Sequence, residues 1–174
     1  MTKENIIINF DDNITAYVKD IFGSNKIDIL SYVTKIAEYI LKNEGVDVNK
    51  IYISIESATK DEIKNLNAEY RNIDKVTDVL SFPIFEKNEL EEISKLDNKK
   101  KIKEIELGDI VLCLDVIKQQ SIEYETGMLR EVLYMITHGI CHLVGYDHIE
   151  ESDKVKMRDL EERALNSVNI TKNK

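Results

Sequence analysis

Apolar and polar positions change period several times along the 174 residues, and each change marks an element. Residues 6–10, IIINF, are short, β-branched and followed by Asp11, Asp12 and Asn13, which reads as a strand running into a turn. From about Ile27 to Asn43 the apolar residues Ile29, Tyr32 or Val33, Ile36 and Tyr39 or Ile40 return at helical spacing, and Gly45 stops the run. Residues 50–57, KIYISIES, alternate with period two, the pattern of a strand with one face buried. Thr59 with Glu62 three residues on is a capping box, opening a helix through Ile63 and Leu66 that ends near Arg71. TDVLSFP, 77–83, predicts a third strand, with Pro83 where a strand must stop or lie at an edge. LGDIVLCLD, 107–115, predicts a fourth, apolar enough to be central.

A helix from about Leu129 carries Val132, Leu133, Ile136, Ile140 and Leu143 on one side, so it should be buried. After Glu150 and Glu151 a last helix shows Met157, Leu160, Ala164 and Val168 on its packed face. Between the third and fourth strands, residues 86–106 hold seven acids and six lysines, and the near balance predicts a mobile solvated flap rather than a nucleic-acid arm. The tail 169–174, NITKNK, should be loose. The expected fold is α+β: one domain over residues 1–168, with about four strands in a mixed sheet and helices packed on it.

Composition narrows the function classes. The chain has 33 acidic and 24 basic residues and a net charge of −9, which excludes a global electrostatic footprint for duplex nucleic acid and makes any such contact local. No stretch approaches the roughly 18 apolar residues of a membrane span, and MTKENIIINF has too short an apolar run for a signal peptide, so a cytoplasmic protein with no membrane contact is expected. Cys113 and Cys141, both in apolar surroundings, read as reduced core thiols.

All three histidines fall within HGICHLVGYDH, residues 138–148. His138 and His142, four apart on a helix, lie one above the other on one face, where two imidazoles can share one ion. Gly145 lets the chain leave the helix through a left-handed conformation, so that His148 can return to the same ion. Three imidazoles leave one tetrahedral position open, the arrangement of a catalytic zinc site, here at the end of the buried helix. Cys141 lies about 100° round from His142 and reads as a core residue. Asp147 can orient a ligand imidazole or form the turn, and Tyr146 can stack a base or pack over the turn.

The spacing H-x-x-x-H-x-x-G-x-x-H also matches the metzincin peptidases, but those enzymes place a glutamate directly after the first histidine as general base, and here that position is Gly139. A peptidase would keep its metal and lack its proton acceptor. Arg71 by itself suits the end of its helix, where the dipole favours a cation.

Three blocks together resemble one family. HGICHLVGYDH is similar to the H-G-x-x-H-L-x-G-Y-D-H signature of the YbeY family of bacterial rRNA maturation factors, NAEYRNIDKVTDVLSFP at 67–83 to its Y-R-x-x-D-x-x-T-D-V-L-S-F-P block, and LGDIV at 107–111 to its L-G-D-I. Val76 stands where that family usually has proline, and Cys141 where it usually has leucine. The resemblance implies a zinc-dependent endoribonuclease of single-stranded RNA, acting in small-subunit rRNA 3′-end maturation and ribosome quality control. It assigns one zinc ion to His138, His142 and His148, makes Arg71 the other functional residue, and suggests a small-subunit ribosomal protein and an assembly GTPase as partners. Two other classes stay open: a metal-dependent hydrolase of a peptide or small molecule, and a ribosome-assembly protein whose zinc is mainly structural.

Overall fold

The structure, a computed structural model, describes residues 5–23, 28–96 and 104–171. In chain order the elements are β1 (Ile6–Phe10), α1 (Asp12–Phe22), α2 (Ile29–Asn43), β2 (Lys50–Ser57), α3 (Lys60–Arg71), β3 (Val79–Pro83), α4 (Lys87–Ser94), β4 (Glu104–Leu112), α5 (Leu114–Glu123), α6 (Met128–Leu143) and α7 (Glu151–Asn166). The four strands make one sheet in the order β1-β2-β4-β3; β1, β2 and β4 run parallel and β3 is antiparallel to β4. This is the expected α+β domain with a mixed sheet, and β4 is central in it. Pro83 ends β3 at the sheet's edge, where its missing N–H removes no ladder bond from a further strand.

On one face of the sheet Ile51, Ile53 and Ile55 of β2 and Ile105, Leu107, Ile110 and Leu112 of β4 meet apolar residues of α2, α6 and α7. On the other face Ile63 of α3 joins Leu80, Val111 and Cys113 in a smaller apolar cluster. The expected capping box opens α3: Glu62 N–H donates to Thr59 Oγ1 at 3.2 Å, and Thr59 N–H to Glu62 Oε2 at 2.8 Å. The helix stops at Asn72, which takes the left-handed conformation (φ 57°), and Asn67 Nδ2 donates to Lys75 O at 2.9 Å, tying down the loop that follows. Arg71 is thereby held at a defined helix end.

The central helix is α6, which touches α2, α5, α7, β3 and β4. Its approach to the sheet depends on Gly139, because a Cβ there would lie 2.8 Å from Ile110 Cδ1 and 3.0 Å from both Ile110 Cγ1 and Cγ2. The position that holds the general base in metzincins is here the contact between helix and sheet, with no room for any side chain. Gly139→Ala is expected to destabilise the fold by about 1–3 kcal/mol, the usual cost of overpacking a core, read as a lower denaturant midpoint; an unchanged midpoint would show that Ile110 can move aside freely.

Several expectations need correction. Residues 86–106 are not one solvated flap: 87–94 form α4, whose Leu90 is 2% exposed, and 104–106 belong to β4; residues 97–103 lie outside the described residues. Leu90 and Ile93 anchor that charged helix to the core. The fourth strand ends at Leu112 rather than 115, and 114–123 turn directly into α5. The third strand begins at Val79, because Asp78 Oδ1 accepts from Val79 N–H and Oδ2 from Gln120 Nε2, holding Asp78 in the preceding turn. Asp11 opens α1 instead of a simple turn. One of its oxygens accepts from Ile14 N–H at 2.8 Å, and the other from Ser57 N–H and Oγ at 2.7 and 2.9 Å. The second helix begins after its cap Asp28, and Ile27 lies outside the described residues. In the tail, Ile170 packs on the core and its N–H donates to Leu165 O; residues 172–174 lie outside the described residues.

Candidate metal centre

The last two turns of α6 and the loop after it bring the three histidines together. The ligand nitrogens of His138, His142 and His148 all lie within 4.8 Å of one another, and among the described residues they are the only group of three or more His, Cys, Asp or Glu side chains able to hold one metal ion. His138 and His142 are half-buried and His148 is exposed. A cation placed there also lies at the carboxyl end of α6, where the helix dipole is negative.

Hydrogen bonds fix the Nδ1 atoms of the two helical histidines. His142 Nδ1 lies 2.9 Å from Tyr146 O, a carbonyl that can only accept, so this nitrogen is the donor. His138 Nδ1 lies 2.7 Å from Glu161 Oε1 and donates to that carboxylate. Burial first, and then the His138 imidazole, lower the pKa of His142 to about 4, so its ring is neutral near pH 7. Its Nε2 therefore bears a lone pair, 3.1 Å from His138 Nε2. A cation between these two nitrogens would be shared by both rings. Nitrogens each roughly 2.0–2.1 Å from one tetrahedral zinc stand about 3.3–3.4 Å apart, so this pair is nearly set for the ion.

The bend that returns His148 is built by Gly145. It has φ 99°, and a Cβ on it would come within 2.6 Å of Lys87 Cβ, so both the conformation and the close approach require glycine. Gly145 N–H donates to His142 O and Tyr146 N–H to Cys141 O, both at 3.0 Å, closing the end of the helix. Tyr146 packs over this turn. Its hydroxyl donates to Glu44 at the end of α2, and Lys87 Nζ sits 4.8 Å from its ring centroid. Asp147 forms the turn, with Oδ1 accepting from Ile149 N–H at 3.2 Å. Cys141 and Cys113 are free, buried thiols, and burial pushes the Cys141 thiol well up.

The carboxylate that orients an imidazole is Glu161 of α7, a residue the motif did not indicate. It is 2% exposed. Its signal was in the pattern: Met157, Leu160, Glu161 and Ala164 share the buried stripe of α7, and an acid in such a stripe needs a partner. Tyr134 stands beside it, and burial followed by the Glu161 charge pushes the tyrosine hydroxyl up to about 12. Glu161→Gln keeps the shape and loses the charge that would make His138 a stronger ligand. It is expected to weaken zinc binding about 10–100-fold in a competition titration, whereas equal affinity would reduce Glu161 to a packing residue.

Arg71 enters the same region from the opposite face of the sheet. It lines a cleft of about 340 Å³ with His142, Gly145, Tyr146, Asp147 and Lys87, and its Nη2 lies 3.5 Å from Ser81 O. That bond is long. The guanidinium is exposed, and its charge is one of those that lower the pKa of His142.

Fold and site together define an α+β protein with a three-histidine cluster able to hold one metal ion, beside a cleft with an exposed arginine. The chain matches the model of the family described as Endoribonuclease YbeY over residues 14–169, and it belongs to the YbeY family. It is 39% identical over 150 residues to the Endoribonuclease YbeY of Clostridium botulinum strain Eklund 17B, covering 82% of this chain and 90% of that protein. It is 40% identical over 154 residues to the Endoribonuclease YbeY of Caldicellulosiruptor bescii, covering 85% and 94%. A Thermotoga maritima protein solved in solution has a similar fold, with a TM-score of 0.51 at 23% identity over 94% of this chain and 91% of that one.

Proposed function

We propose that the protein is a zinc-dependent endoribonuclease specific for single-stranded RNA. The observation that carries this reading is the convergence of the His138, His142 and His148 ligand nitrogens within 4.8 Å of one another, with Arg71 in the adjoining cleft. The family relationship supplies the RNA substrate. His138, His142 and His148 would hold the zinc, with Glu161 and the Tyr146 carbonyl fixing the first two rings. Zinc bound there supplies a Lewis acid that draws charge from a phosphate oxygen and acidifies a water molecule. Arg71 grips the other phosphate oxygens through its planar fork and stabilises the charge that develops on them as the P–O bond breaks.

Two properties of the chain fit this chemistry better than its rivals. Gly139 has no space for the glutamate a peptidase would need, since Ile110 fills it. One apolar core unites all four strands with α2, α6 and α7 without calling on a metal, so the metal-free protein should stay folded, unlike one whose zinc is structural. Among the described residues no helix is long and apolar enough to cross a membrane. Maturation of small-subunit rRNA 3′ ends, ribosome quality control, a cytoplasmic location and contact with a small-subunit ribosomal protein and an assembly GTPase complete the reading, all on the family resemblance.

The test compares cleavage of a single-stranded and a duplex RNA by zinc-loaded protein, before and after chelation, while circular dichroism follows the fold. Cleavage of the single strand only, abolished by chelation with the fold intact, is expected. Unfolding on chelation would support a structural zinc, and chelator-resistant cleavage would remove the metal from the mechanism.

A further inference from the structure

The histidines lie between two clefts. His142 lines the one with Arg71 and Lys87, whereas His138 and His148 line a second of about 330 Å³, bordered by Tyr134, Lys154, Val155 and Arg158. Only the first is used by the chemistry above. A phosphodiester inside an RNA chain has a nucleotide on each side, so a strand with its scissile bond at the histidines must continue past them. The second cleft is where it would go.

That cleft offers what a single strand requires, cations for its phosphates and apolar surface for its bases. Lys154 and Arg158, four residues apart on α7, share one face of the helix, and both are exposed. Val155, in the cleft, is 64% exposed, and Ile149, outside its lining but next to His148, is 82% exposed. Arg158 and Tyr134 line the cleft together. Two carboxylates share the cleft, and neither closes it to phosphate. Glu151 meets Lys154 at 3.5 Å with side chains 84% and 53% exposed, an ion pair worth little in water and readily exchanged. Glu161 is buried and engaged with His138 Nδ1. With a net charge of −9 the chain has no long-range pull on RNA, so local cations must provide the grip.

We infer that this cleft is a second RNA subsite: Lys154 and Arg158 hold the backbone on the far side of the scissile phosphate from Arg71, and Tyr134 and Val155 support a base. The inference rests on the ribonuclease reading. It deepens that reading by giving the strand a path across the metal centre.

The probe is a fluorescent 2′-O-methyl oligouridylate of about ten nucleotides, within the range that single-strand grooves occupy. Its affinity for zinc-loaded wild type and for the double variant K154A/R158A is measured by anisotropy over a salt series, alongside zinc content. The variant is expected to keep its zinc and bind about tenfold more weakly. Its salt slope should flatten by about 1.4, from two lost contacts at about 0.7 each on a single strand. Unchanged affinity and slope, with a wild type that binds and cleaves single-stranded RNA, would overturn the subsite and leave the ribonuclease reading standing. A zinc-loaded wild type that neither binds nor cleaves single-stranded RNA would overturn both.

Discussion

His142→Ala is expected to cost the protein its zinc and its RNA cleavage together, by more than about a hundredfold in each. Losing a residue that merely orients a ligand costs about 10–100-fold in metal affinity, and losing the ligand itself should cost more. His142 is also the hub of the centre. Its Nε2 faces His138, its Nδ1 is fixed on Tyr146 O, and its ring lies 5.1 Å from that of His148, centroid to centroid. The remaining pair of imidazoles is one exposed and one half-buried, and among the described residues no third ligand joins them. Mass spectrometry of bound metal and a cleavage assay on the same sample check this. A variant that keeps stoichiometric zinc would remove His142 from the ligand set.

Arg71→Ala should separate the two properties. Among the described residues Arg71 makes no hydrogen bond to the three imidazoles and approaches Ser81 O at 3.5 Å, so the metal should remain. Cleavage should fall about 10²–10³-fold, the range for removing one donor aimed at developing charge. If the fork grips oxygens whose charge grows as the bond breaks, the loss falls on kcat more than on KM. Arg71→Lys should recover little, because an ammonium lacks the planar pair of donors. Wild-type kcat in Arg71→Ala would make the residue a helix-end cation and nothing more.

Much of this architecture was legible because local chemistry and tertiary packing agree at the decisive residues. The period-two run 50–57 is β2 to the residue, the Thr59–Glu62 box opens α3, and the apolar stripe of α6 is buried as its pattern requires. What was missed lay where two local signals compete. Asp11 reads equally as a turn former and a helix cap, and only its bonds to Ser57 across the sheet decide for the cap. Charge in 86–106 hid α4, because one buried leucine per two turns is a faint stripe. β4 runs into α5 without glycine or proline to mark the join.

The site divides in the same way. The three histidines and Gly145 form one short motif, and their convergence follows from helix geometry. Glu161 lies on another helix, and nothing in local spacing connects it to His138; only packing α7 on α6 brings the carboxylate within 2.7 Å of the ring. Asp147, the nearer candidate for that task, is engaged with the Ile149 amide. Arg71 arrives from a third element across the sheet, and its place beside His142 depends on the Asn67–Lys75 tether and the left-handed Asn72 that end α3.

The reading as a whole stands on three imidazoles closing around one ion with a coordination place left free. X-ray absorption at the zinc edge of the loaded protein tests this directly. Three nitrogen neighbours at roughly 2.0–2.1 Å with an additional light atom from solvent are predicted, at one zinc per chain. A spectrum with fewer than three imidazoles, a fourth ligand from the protein, or no stoichiometric zinc would contradict it.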